Sequence, residues 1–91
     1  NEMMKETVTI SNKLGLHARA AAKLVHVAST FESEIYVGTE NEEVNAKSIL
    51  GILTLAATKG TPLTVRADGT DEHAAVQAIV DLFADKFGEG Q

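Results

Sequence analysis

Lys13-Leu14-Gly15-Leu16-His17-Ala18-Arg19-Ala20-Ala21-Ala22 joins a glycine turn to a histidine and then to an alanine-rich run of helical composition. This order puts an imidazole at the mouth of a helix with a guanidinium two residues on. A helix start presents backbone N–H groups without intrahelical partners and the positive end of the peptide dipoles. Such a place binds anions, phosphate above all. The neutral imidazole of His17 is a nucleophile at neutral pH. It is therefore expected to take up a phosphoryl group and hand it on. The product would face the first-turn amides of Ala18, Arg19 and Ala20 and the Arg19 guanidinium.

Outward from this stretch the periodicities set the fold. Before it, Thr7-Val8-Thr9-Ile10 alternates polar and apolar and reads as a strand with Val8 and Ile10 inward. Asn1 to Lys5 shows no pattern and is read as a frayed or added end. After it, Ala18 to about Thr30 is helical, with Ala18, Ala21, Ala22, Val25 and Ala28 expected on the buried face. Arg19, Lys23, His26 and Thr30 share another face. Glu34–Gly38 and Glu43–Ala46 alternate around a turn-rich link and read as an antiparallel hairpin. Ser48 precedes a short apolar helix that Gly60 and Pro62 bring to a stop.

Pro62 to Ala67 gives a fourth strand, with Leu63, Val65 and Ala67 inward. Asp68-Gly69-Thr70-Asp71 is read as a turn and a cap. Val76, Ile79, Val80, Phe83 and Phe87 then mark one face of a last helix. The order β-α-β-β-α-β-α predicts a single α+β domain over residues 1–91, its four-stranded antiparallel sheet covered on one face by three helices.

Composition narrows the function. The 91 residues carry a net charge of −5, which argues against nucleic acid as the main partner. Yet Arg19, Lys23 and His26 stand together on the first helix without an acid among them, a basic face suited to acidic protein surfaces or a phosphorylated site. There are no cysteines, and His17, His26 and His73 have no metal-ligand spacing, so neither a cofactor nor a metal is expected. No signal peptide or bilayer-spanning run is seen, and a cytoplasmic protein is expected.

No glycine-rich nucleotide loop is present, so the phosphoryl group must come from a partner. Ser48 is first of all a helix cap and, as a second reading, a regulatory phosphorylation site. Ile49, Leu50, Ile52 and Leu53 exceed what one short helix can bury, which predicts a small exposed docking patch.

The segment Asn12–Val25, and Val44-Asn45-Ala46-Lys47-Ser48-Ile49-Leu50-Gly51-Ile52 with Leu55-Ala56-Ala57 and Lys59-Gly60-Thr61, resemble the two signatures of the HPr family. These are the histidine phosphocarriers of the bacterial phosphoenolpyruvate-dependent phosphotransferase system. The resemblance runs from about Thr7 to Gly88. It implies an open-faced β-sandwich and phosphorylation of His17 on Nδ1 by enzyme I, with transfer onward to an enzyme IIA.

It also implies that Arg19 is the active-site arginine and Ser48 the target of an HPr kinase/phosphorylase. Ile49, Leu50 and Leu53 match the family's docking patch, and Leu16 and Lys23 are expected to dock partners with them. A phosphoryl carrier is not itself an enzyme, and a monomer is expected. Most members have proline after the arginine, where this chain has Ala20. Some nitrogen-related members share that variant, so the alternative is a regulatory binding module of that branch, or one controlled through Ser48.

Overall fold

Alternating side chains can bury one face of a strand and leave the other wet, and the strands here do so. A computed structural model describes residues 4–91. Its strands are β1 (Met4–Thr9), β2 (Glu34–Gly38), β3 (Glu43–Asn45) and β4 (Pro62–Asp68). They form one antiparallel sheet in the order β1-β4-β2-β3. Val65 of β4 lies opposite Glu6 on one side and Val37 on the other. Ile35, Val37, Leu63, Val65 and Ala67 all point into the core and are buried.

The helices α1 (Ala18–Ser29), α2 (Ile49–Thr54) and α3 (Glu72–Ala84) complete the β-α-β-β-α-β-α order. α3 packs on β1 and β4, while α1 packs against α2 and α3. The fold is the open-faced α+β sandwich expected. On the other sheet face Arg66 lies over the Tyr36 ring and forks onto the Glu43 carboxylate, tying β4 across β2 to β3.

Four details differ from the sequence reading. β1 begins at Met4, so Met4 and Lys5 are strand residues, paired with Ala67 and Arg66. Residues 1–3 of the expected frayed end lie outside the described residues. On α1 the buried residues are Ala20, Ala21, Leu24 and Ala28, whereas Ala18 and Ala22 are exposed. Leu24, the bulkiest apolar side chain on the helix, sets which face turns inward.

Asp71 stands at the N-cap of α3 but makes no side-chain bond to that helix. Its carboxylate instead accepts from the Glu32 and Ser33 amides at 2.9 Å and from Ser33 Oγ, pinning the link between α1 and β2. Glu72 holds the turn by accepting from the Gly69 amide.

The fourth detail bears on function. Phe87 is not on α3. The helix ends at Ala84, and Lys86 and Phe87 take left-handed backbone angles, φ 54° and 56°. Such angles cost a non-glycine residue roughly 1–2 kcal/mol each. Burial of the Phe87 ring against Phe83, edge to face with centroids 4.9 Å apart, offsets about that much. The turn sends Gly88–Gln91 back across the start of α1.

Candidate functional site

His17 is the N-cap of α1, and its carbonyl accepts the first intrahelical bond, from the Ala21 amide at 2.8 Å. The amides of Ala18, Arg19 and Ala20 therefore have no acceptor within the helix. Gly15 delivers the ring to this position. Its φ is +67°, and a Cβ there would lie 2.5 Å from the Ala57 carbonyl oxygen. Only glycine allows that approach. The neighbouring Leu16 amide then donates to the same carbonyl at 3.0 Å.

The two ring nitrogens of His17 have different partners. Nδ1 accepts from the Arg19 amide at 3.3 Å. Accepting requires a lone pair, so the ring proton sits on Nε2. Nε2 in turn meets Glu89 Oε2. The other Glu89 oxygen accepts from Asn12 Nδ2 at 3.0 Å, and the same Asn12 amide group donates to the Gly15 carbonyl at 2.8 Å. One buried asparagine thus braces both the loop that presents the histidine and the acid that faces it.

Two further bonds hold the tail in place. Lys23 Nζ donates to the Phe87 carbonyl at 2.6 Å, and the Lys13 amide donates to the Gln91 carbonyl at 2.9 Å. The result is an open cleft of about 780 Å³ beside the histidine. Lys13, Arg19 and Lys23 line it with positive charge, and the Glu89 side chain brings a carboxylate. Desolvation works to raise the Glu89 carboxyl. Hydrogen bonds from Asn12 and His17, with the nearby charge of Lys23, outweigh it and hold the group below the usual carboxylate range.

Arg19 is exposed and lines the same cleft as His17, and among the described residues no carboxylate pairs with its guanidinium. Ser48 caps α2, its Oγ accepting from the Gly51 amide at 3.2 Å. Ile49, Leu50 and Leu53 are exposed by 42, 73 and 37%, while Ile52 is buried.

Leu16, expected among the docking residues, is not at the surface. It is only 4% exposed, its side chain drawn into the core by the turn that frees His17. Leu14, 66% exposed and lining the cleft, is the leucine of that loop available to a partner. Sequence reasoning passed over Glu89 and Asn12. Glu89 lies in a short polar tail with no periodicity, 72 residues from His17, and nothing local marks it. Asn12 reads in sequence as one more polar residue of the loop before the histidine.

Residues 4–85 match the family model described as the PTS HPr component phosphorylation site. The chain is 53% identical to the phosphocarrier protein HPr of Xylella fastidiosa (strain Temecula1), over 96% of this chain and 98% of that one. It is 48% identical to the protein of the same name from Neisseria meningitidis, over 98% of this chain and all of the other. Among solved structures, HPr-C-His from Thermoanaerobacter tengcongensis superposes with a TM-score of 0.91 at 49% identity, covering 94% and 97% of the two chains.

Fold and matches together place the chain among phosphocarriers of the phosphotransferase system, proteins that hold a phosphoryl group between enzymes rather than act as catalysts. The chain belongs to the HPr family. Its role ties it to sugar transport and to phosphotransferase partners of the enzyme I and enzyme IIA kind. The relatives' names favour this phosphocarrier role over the regulatory binding module. Among the described residues no helix is long and apolar enough to cross a membrane.

Proposed function

We propose that His17 is the phosphoryl acceptor of this carrier and that Nδ1 is the atom phosphorylated. The observation that carries the reading is the pairing of the ring: Nε2 faces Glu89, and the Nδ1 lone pair points at the mouth of α1. Nδ1 attacks the phosphorus of phospho-enzyme I. The N–P bond to the donor breaks, and its electron pair stays with the donor. The Arg19 amide, no longer needed by Nδ1, turns to a phosphate oxygen with its neighbours Ala18 and Ala20. Arg19 adds a charge-assisted donor from the side chain. Transfer to an enzyme IIA is the reverse step with a new acceptor.

Ala20 fits this scheme. It is fully buried on the inner face of α1, and as a non-proline residue it keeps an N–H in the first turn. The docking patch is Ile49, Leu50 and Leu53, with Leu14 from the histidine loop. Phosphorylation of Ser48 by an HPr kinase/phosphorylase would set a dianion beside Ile49 and Leu50 and weaken apolar docking. We place the relay in the cytoplasm and the carrier as a monomer, since the face around His17 must meet two partners in turn. A solved HPr from Thermoanaerobacter tengcongensis is a dimer, so sedimentation at micromolar concentration is the check.

Incubation with enzyme I and phosphoenolpyruvate should give an acid-labile, base-stable phosphate. His17→Ala should abolish it while leaving the fold intact, because the side chain is partly exposed. Label that survives His17→Ala would reject the assignment.

A further inference from the structure

The tail contact goes beyond the acceptor assignment, on which its functional part rests. We propose that Glu89 is a positioning residue of the phosphocarrier: it holds the Nε2–H form of the His17 ring and compensates the charge that the ring gains when Nδ1 bonds phosphorus.

A neutral imidazole has one proton for two nitrogens, and only the Nε2–H form leaves Nδ1 free to attack. Glu89 Oε2 faces Nε2, and a carboxylate can only accept there, so it selects that form. The carboxylate cannot swing away easily. Its second oxygen is held by Asn12, which is fully buried and also holds the Gly15 carbonyl. The tail that carries it is anchored by the buried Phe87, by Lys23 on the Phe87 carbonyl and by the Lys13 amide on Gln91. Two left-handed residues, Lys86 and Phe87, provide the turn, a conformation that persists only when its surroundings hold it.

The charge balance follows. When Nδ1 forms its bond to phosphorus, the ring keeps its Nε2 proton and becomes cationic. Glu89 then faces a positive ring, with Lys13, Arg19 and Lys23 lining the same cleft. When the phosphoryl group leaves, the N–P electron pair returns to Nδ1 and the ring is neutral again with the same proton in place. No proton has to move in either direction. The acid thus serves acceptance and donation alike, which a reversible carrier needs.

The test uses the full chain with 15N-labelled histidine as wild type, Glu89→Ala and Glu89→Gln. At pH about 9, where a free imidazole is neutral, the wild type should show the Nε2–H form and a ring proton slow to exchange with water. In Glu89→Ala that proton should exchange too fast to detect, and the Nδ1–H form should appear. Glu89→Gln is nearly isosteric, but its one carbonyl oxygen cannot serve Asn12 and His17 through both tail positions. It should lose the slow ring proton as well, with the backbone amide spectrum altered only around the cleft.

Phosphoryl acceptance from enzyme I should slow about tenfold in both variants, the size of one charge-assisted hydrogen bond. Unchanged ring signals with rates within twofold of wild type would overturn the proposal. So would slower transfer with unchanged ring signals, since that is what a merely structural tail would give. Ring signals that respond to Glu89 in a wild-type protein that takes no phosphate would instead refute the acceptor assignment and leave the contact standing.

Discussion

His17 holds one partner on each ring nitrogen, and the division of labour is chemical. The helix amide at Nδ1 marks where negative charge is welcome, and the carboxylate at Nε2 marks where positive charge is. Arg19 belongs to the first of these regions. Replacing Arg19 with alanine should slow phosphoryl transfer by about tenfold or more, since a charge-assisted bond to phosphate contributes roughly 1.5–3 kcal/mol. Rapid-quench transfer from enzyme I checks this, and a rate within twofold of wild type would remove Arg19 from the site. The residues most legible in the sequence were these local ones. A histidine at a helix mouth and an arginine two positions on are recognisable from spacing alone. Glu89 was not, because its meaning comes from a return of the chain over 72 residues that no local pattern encodes.

At the scale of elements, the turn before α1 and the turn after α2 form one unit. Gly15 and Leu16 lie against the Ala57 carbonyl, and Ala56 next to it takes φ 49°, a left-handed angle. Gly15→Ala should destabilise by roughly 1–3 kcal/mol, from both the backbone angle and the close oxygen. Ala56→Gly should stabilise by roughly 0.5–1 kcal/mol by relieving a strained angle. Urea unfolding of the two variants measures both, and equal midpoints would contradict them. Ser48→Ala should cost about 1 kcal/mol through loss of the α2 cap, independently of any regulatory role.

The strands and the exposed residues of α2 were readable because alternation and an all-round apolar helix are strong signals. The burial face of α1 was misread because alanines are too small to mark a face, and Leu24 decides it. Asp71 was misread for a related reason. An aspartate before a helix reads as a cap, but here the amides of Glu32 and Ser33 compete for its carboxylate and win.

For the whole molecule, carboxylates tie distant segments together, and this makes stability depend on pH. The Ser33 hydroxyl, with the Glu32 and Ser33 amides, holds Asp71 below its ordinary range. The Arg66 fork does the same for Glu43. At Glu89, bonds from Asn12 and His17 outweigh desolvation. A carboxyl depressed in the folded state binds protons more readily when unfolded. Its contribution is therefore present above the ordinary carboxylate value near ~4 and is lost as pH falls through the depressed folded value. Thermal midpoints should be level in this respect above pH about 5 and fall steadily below about 4. Asp71→Asn should flatten part of that fall, and a midpoint unchanged down to pH about 2 would contradict the assignment of these links.

Which ring atom takes the phosphate is the most direct test. Phosphorylation of 15N-histidine-labelled protein by enzyme I and phosphoenolpyruvate, followed by nitrogen and phosphorus NMR, reports it as a one-bond coupling. The predicted result is coupling to Nδ1 of His17, with Nε2 still protonated. Coupling to Nε2, or phosphate on His26 or His73, would contradict the arrangement of amide, ring and carboxylate on which the whole reading stands.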